Sequence, residues 1–231
     1  MNMQTFFSEI TALCRNEQFL HSVMEKYHYD PEEYPNLKRL AGEMIPCLET
    51  EAGWQDREIK ETFPGRDQSF LAVGITLGKG IDALQEKYLQ NGFLTESYMI
   101  EVLSSELLLK SYRAYTEWVV VHRNLHVARL HFLGGGEISE TSESQIGSLL
   151  RLANLPMLLQ ELALPVTCNA AYCMIPKKSV VFYAELTKDP FTKCAGICLG
   201  CGRRDCPNRP NRPLSYGYAR IFSKNTDENG R

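Results

Sequence analysis

The sequence predicts an α+β fold, on three observations. Residues 69–77 (SFLAVGITL) form an unbroken apolar, β-branched run closed by Gly78-Lys79-Gly80, which is how a buried strand reads. Met99, Leu103, Leu107, Ala114, Trp118, Val121 and Leu125 recur at gaps of three, four or seven, the stripe of a long helix that serves as the spine of the core. Residues 165–187 are rich in β-branched and aromatic side chains and are split by Pro176-Lys177-Lys178, so they read as two strands across a turn. With 231 residues and 44% hydrophobic content the chain can bury a sizeable core.

The elements follow in chain order. Phe6, Ile10, Leu13, Phe19, Leu20 and Val23 give residues 3–28 a helical rhythm. Asp30-Pro31 supplies a cap and first position for a second helix, which should stop near Pro46. Residues 58–63 are a short extended candidate before Pro64-Gly65, and the strand at 69–77 leads into the helical IDALQEKYLQ. After the Asn91-Gly92 turn, Thr95 is placed to cap the long helix. Gly134-Gly135-Gly136 breaks the chain, and Ser142-x-x-Gln145 is a capping box for a helix through Ile146, Leu149, Leu150 and Ala153. Residues 215–222 (SYGYARIF) are an edge-strand candidate, and the polar tail after them reads as disordered. The expected organisation is a helical segment at 1–65 packed on the core, an α+β core at 66–192, a four-cysteine loop at 193–213, and a strand with a tail at 214–231.

Composition excludes several function classes. A net charge of -3 provides no global basic field for nucleic acid or an anionic membrane, and no aromatic stripe supports a nucleic-acid interface. No apolar stretch approaches the roughly eighteen residues of a membrane span, and the N-terminus lacks a signal-peptide layout. A cytoplasmic protein is expected, in which the eight cysteines are metal ligands or buried thiols rather than disulfides. The glycines after residue 77 match neither G-x-G-x-x-G nor a P-loop, which argues against a nucleotide site.

Four of those cysteines, Cys194, Cys198, Cys201 and Cys206, form C-x3-C-x2-C-x4-C within thirteen residues. A zinc ribbon separates its cysteine pairs by a dozen or more residues, whereas four thiols on one loop can wrap an iron–sulfur cluster, here expected as [4Fe-4S]. Gly196, Gly200, Gly202 and Pro207 allow the turns such a loop needs, and Lys193, Arg203, Arg204, Arg209 and Arg212 against Asp205 would offset the charge of a thiolate-ligated centre. Structural zinc and simple exposed thiols are the alternatives. The remaining cysteines, Cys14, Cys47, Cys168 and Cys173, read as ordinary core thiols. His122 and His126 lie four apart in the long helical pattern with His131 following; a metal pair is geometrically possible there, but no carboxylate or cysteine joins them, and helix-end histidines are the simpler reading.

One resemblance draws these pieces together. The strand ending Ile75-Thr76-Leu77-Gly78, the long helix, the Gly-rich loop, Gln145, and then Met174-Ile175-Pro176-Lys177-Lys178-Ser179-Val180 occur in the order found in the reactivation (activation) domain of cobalamin-dependent methionine synthase. The chain resembles stand-alone forms of that domain, which carry a T-L-G turn, a later P-x-K-S-V segment and often a Cys-rich C-terminal loop. The resemblance spans roughly residues 55–210. It implies a mostly antiparallel twisted sheet with long flanking helices. It also points to cofactor contacts at Pro176, Lys178 and Ser179, a cation and a hydroxyl on a turn able to meet corrin amides; the backbone amides of Gly134, Gly135 and Gly136, where the chain departs from the family, are candidates to bind an anion or allow close backbone approach of a cofactor. In the family, an R-x-S-P-G-Y loop helps hold S-adenosylmethionine. Here residues 131–137 lack its proline and tyrosine, and Arg129 is out of register, so S-adenosylmethionine is expected to bind weakly or not at all.

The function so implied is reactivation of a corrinoid methyl carrier that has oxidised from Co(I) to Co(II). The chain has no D-x-H-x-x-G cobalamin signature, so the cobalamin is held by a partner, a corrinoid-binding methyltransferase component. A cluster in the cysteine loop would relay electrons from a low-potential donor such as ferredoxin or flavodoxin. The alternative from another class is a zinc-containing, non-catalytic adaptor that docks a corrinoid protein or other partner.

Overall fold

The structure is a computed structural model and describes residues 3–60, 67–134, 148–192 and 194. In chain order it contains α1 (Met3–Leu13), α2 (Glu17–Tyr27), α3 (Tyr34–Met44), β1 (Glu51–Lys60), β2 (Asp67–Thr76), α4 (Lys79–Gln90), α5 (Leu94–Arg123), β3 (His126–Phe132), α6 (Leu155–Glu161), β4 (Thr167–Cys168), β5 (Met174–Ile175) and β6 (Ser179–Thr187). The architecture is α+β, built on an antiparallel four-stranded sheet of order β1-β2-β6-β3.

Helix boundaries follow local chemistry. α1 ends at Leu13, and Asn16, three residues on, caps α2, its Oδ1 accepting from Phe19 N at 2.8 Å. Asp30 precedes a 3-10 turn, Pro31–Glu33, and α3 starts at Tyr34, so the expected Asp-Pro start holds the tighter helix instead. Pro46 lies in a second 3-10 turn that follows α3. α5 runs for 30 residues, about 45 Å. Its N-cap is Phe93, with no side-chain cap; Thr95, expected as the cap, lies inside the first turn. Asn124 closes α5 in the left-handed region at φ 51°, which a short polar side chain tolerates.

That closure corrects one sequence expectation. Leu125 and His126 had extended the helical pattern, but His126 begins β3, so His122 and His126 do not share a helix. The strand at residues 58–63 is also longer and earlier than expected, since β1 pairs with β2 from Glu51↔Thr76 to Lys60↔Asp67. The predicted pair at 165–187 resolves differently as well: β4 and β5 form their own short hairpin, and only β6 enters the main sheet. The capping box at Ser142 and Gln145, and the strand candidate at 215–222, lie outside the described residues.

β2 is buried on both faces, which is why its sequence is apolar without alternation. Leu71, Val73 and Ile75 join Phe182 and Ala184 of β6 against Met99, Leu103 and Leu107 of α5, with Leu20, Leu37 and Leu40 of the N-terminal helices in the same core. Phe70 and Ala72 join Val181 and Tyr183 against Leu155, Leu158, Leu159 and Leu162 on the opposite face. No described helix is long and apolar enough to cross a membrane.

Candidate functional site

Antiparallel register places Thr76, at the end of β2, directly opposite Ser179, at the start of β6. The two segments that carry the resemblance therefore meet, although 103 residues separate them. Thr76 Oγ1 and Ser179 Oγ lie 2.8 Å apart. The proton direction follows from the neighbours. Ser179 Oγ lies 2.8 Å from the Pro176 carbonyl, a pure acceptor, and must give it the one hydroxyl proton. Thr76 then donates to Ser179, and its own oxygen accepts from Gly78 N at 3.1 Å. A directed chain results: Gly78 N–H to Thr76, Thr76 to Ser179, Ser179 to the Pro176 carbonyl.

Backbone bonds tighten the junction. Leu77 N donates to Lys178 O at 2.9 Å, and Glu49 N donates to Leu77 O at 3.0 Å. Gly78 sits at φ 86°, where a Cβ would fall 2.4 Å from Glu49 Cβ and 2.8 Å from Glu49 O. Both the backbone angle and the space demand glycine. Lys177 N donates to Asp82 Oδ2 at 2.8 Å, tying the turn to the first turn of α4. Asp82 Oδ1 is buried and accepts no bond from a described residue, leaving acceptor capacity behind the turn.

Lys178 is 7% exposed. Its ammonium forms a close ion pair with Glu101 Oε1 and donates to Ser105 Oγ at 2.9 Å. Glu101 Oε2 also accepts from Gln85 Nε2 at 3.0 Å. Partial burial alone would raise the Glu101 pKa, but the hydrogen bond and charge of Lys178, with Gln85, outweigh it and hold the carboxyl below its ordinary range. Glu101 and Ser105 are one helical turn apart on α5, so the Lys178 ammonium ties the 176–179 turn to α5, and Gln85 ties α4 to the same carboxylate.

This geometry corrects the expected exposure of the turn. Lys178 and Ser179 are both buried, Ser179 at 6%, and their polar atoms bond internally. Pro176 is buried too, following a cis Ile175-Pro176 peptide. What the turn presents outward is Lys177 and Ile175. The hydroxyls of Thr76 and Ser179 serve a carbonyl and each other, so the junction is arranged to hold elements in place rather than to activate a nucleophile.

The other expected site residues are dispersed. Gly134, at φ 69°, donates its N–H to Leu150 O at 2.9 Å and packs so closely that a Cβ would lie 2.8 Å from Leu152 Cγ. It follows β3, which runs toward the Ser179 end of β6, so the glycine loop leaves from the same end of the sheet as the junction. Gly135 and Gly136 lie outside the described residues. His122 stacks on Trp118 with ring centroids 4.8 Å apart, and its Nδ1 is 2.9 Å from the Trp118 carbonyl. His131 Nε2 is 3.0 Å from Glu185 Oε2. These histidines are engaged separately, and among the described residues no cluster of three or more His, Cys, Asp or Glu side chains is arranged to hold a metal.

Of the cysteine loop, Cys194 is described and Cys198, Cys201 and Cys206 are not. Cys194 is half-buried against the larger core, and that burial raises its thiol pKa. A ligand must be a thiolate, so a metal would have to reverse this preference. The loop also leaves from the far end of β6, eight residues from Ser179, or about 26 Å. At that far end, Arg123, Asn124, Leu125, His126, Lys188 and Pro190 line an open groove of about 510 Å³. Cys14 is a core thiol, its pKa pushed up to about 11 by burial, and Cys47 and Cys168 are partly buried; Cys173 is exposed, contrary to expectation.

Sequence reasoning missed the partners of Lys178. Glu101 and Ser105 stand four apart on α5, so they share one face, but they are two among many polar residues of that helix and gave no distinct signal. Compared with models of known protein families the chain matches none, and no curated protein matches it either.

Proposed function

We propose that this chain is a stand-alone reactivation factor, akin to the reactivation domain of cobalamin-dependent methionine synthase, which binds a corrinoid methyl-carrier protein and assists its return from Co(II) to Co(I). The observation that supports this reading is the meeting of Thr76-Leu77-Gly78 with Pro176-Lys177-Lys178-Ser179 in one bonded junction. Two short motifs that look weak separately are, in space, a single feature. On this reading Lys178 and Ser179 are positioning residues. They hold the 176–179 turn so that Lys177 and Ile175 face the partner.

Cys194, Cys198, Cys201 and Cys206 would hold an iron–sulfur cluster, whose chemistry when bound is one-electron transfer from a low-potential donor such as ferredoxin or flavodoxin. β6 ends about 26 Å from the junction, and the loop follows that end of the strand; on this reading it faces the electron donor. In this reading the protein is cytoplasmic, and S-adenosylmethionine is not its ligand.

Anaerobic purification with iron, sulfide and zinc analysis, followed by cobalt spectroscopy of the candidate corrinoid partner, tests the proposal. Brown protein containing labile sulfide, which speeds the approach to Co(I) in a manner lost in Cys201→Ala, is the expected result. Colourless protein with one zinc and no effect on the cobalt centre would replace the proposal with the adaptor reading.

A further inference from the structure

The hairpin of β4 and β5 is closed by a three-residue loop, residues 170–172. Tyr172 N donates to Asn169 O at 2.9 Å, the bond of a β-turn, and Asn169 N donates to Cys173 O at 3.1 Å across the base of the loop. The Asn169 side chain reinforces it, its Oδ1 accepting from Ala171 N at 2.9 Å and from Cys173 N at 3.0 Å. A loop of this kind ends on a residue in the left-handed region, and glycine is its expected occupant. Here that residue is Tyr172, at φ 58°.

A left-handed tyrosine is strained, because its Cβ crowds the backbone. The other described non-glycine residues at positive φ, His28, Asn124 and Ala163, sit at or just past helix C-termini, where such a residue lets the last carbonyls be met. Tyr172 closes a hairpin instead, and its side chain is not held by the fold: it is exposed, stacks on no described ring, and its hydroxyl meets no described partner. The loop explains the left-handed position but not the tyrosine. Its place in the surface supplies a reason. Cys173, Ile175 and Lys177 are exposed at alternate positions, whereas Pro176 and Lys178 are buried. Tyr172, 38% exposed, stands at the start of this row, and Ile175, 53% exposed, lies in its middle.

We propose that Tyr172 is a partner-contact residue, its ring continuing the surface that Ile175 and Lys177 present to the corrinoid methyl-carrier protein. An aromatic ring carries a large contact area with few rotatable bonds, which suits it to anchor an interface. The inference rests on the reactivator reading and extends its contact surface from the 176–179 turn to the hairpin tip.

The test titrates the full chain with a cobalamin-loaded methyl-carrier protein and reads folding separately from denaturant midpoints. Tyr172→Gly should move the two readouts in opposite directions. The folding equilibrium constant should rise about threefold as the left-handed strain is released, while carrier affinity should fall about tenfold. Tyr172→Phe keeps the ring and should bind within about twofold of wild type. A residue that merely supports the fold would lose stability and binding together in Tyr172→Gly, and that result would overturn the inference. So would unchanged carrier binding in Tyr172→Gly. A wild-type chain that fails to bind the carrier at all overturns the reactivator reading itself, and this inference falls with it.

Discussion

The two ends of β6 differ in how their polar groups are met. At the Ser179 end, hydroxyl, ammonium and backbone groups from β2, α4, α5 and the 176–179 turn satisfy one another in a buried junction. At the Thr187 end, Arg123 pairs with Asp56 at 3.1 Å on partly exposed side chains, beside an open groove. The same kinds of groups are present at both ends. Burial makes the difference, because a buried polar group left without its partner costs far more than an exposed one that water can serve.

That contrast can be broken most strongly at Gly78. Gly78→Val places a Cβ against Glu49 in a left-handed backbone and should destabilise the protein by about 3 kcal/mol, read from denaturant midpoints. A loss below about 1 kcal/mol would mean that the junction is looser than its geometry. The next test is asymmetric. Glu101→Leu strands the buried Lys178 ammonium and should cost about 2 kcal/mol, whereas Lys178→Met leaves Glu101, with a side chain 39% exposed, able to turn to water and should cost about 1 kcal/mol. Equal losses would show that the ammonium is not the stranded partner.

Thr76→Val removes the relay between Gly78 N and Ser179 and should cost about 1 to 2 kcal/mol, with faster hydrogen exchange at the Gly78 amide as its signature. Acid gives a smaller effect. Glu101 is held below the ordinary carboxylate value of 4.5, so its contribution is present above that value and is lost as pH falls through the lower folded pKa. Below pH 4.5 the wild type should lose stability more steeply than Lys178→Met; parallel pH curves would deny the coupling. Smallest of all, Arg123→Ala at the open end should cost no more than about 0.5 kcal/mol, and a loss above 2 kcal/mol would erase the distinction between the two ends.

Much of the fold was legible because it is periodic. The apolar stripe of α5 and the unbroken run of β2 each follow from which neighbours cover them. β3 was lost because Leu125 continued the helical spacing, although Asn124 before it is a residue that readily takes the left-handed cap. β1 was seen only in part: its sequence, EAGWQDREIK, is charged rather than an apolar run, as suits an edge strand. In the site, both turns were visible as motifs, but their meeting was not, since it depends on strand register between distant segments. Burial of Lys178 was equally hidden, because a lysine between Pro-Lys and Ser reads as a solvated turn until Glu101 is brought to it.

The pairing of β2 with β6 also sets an order of events during synthesis. β2 is complete at Thr76, and its partner begins only at Ser179; at the usual rate of roughly 5 to 20 residues per second, the ribosome takes about 5 to 20 s to make the intervening chain. β1 can cover one edge of β2 at once, but the other edge of this apolar strand stays open for that interval. Early packing of α4 and α5 against the β1–β2 hairpin would shield its face and leave that edge waiting. The nascent protein is thus most vulnerable to pairing with another chain between the completion of Thr76 and the emergence of β6, a window in which chaperone capture has the most to protect.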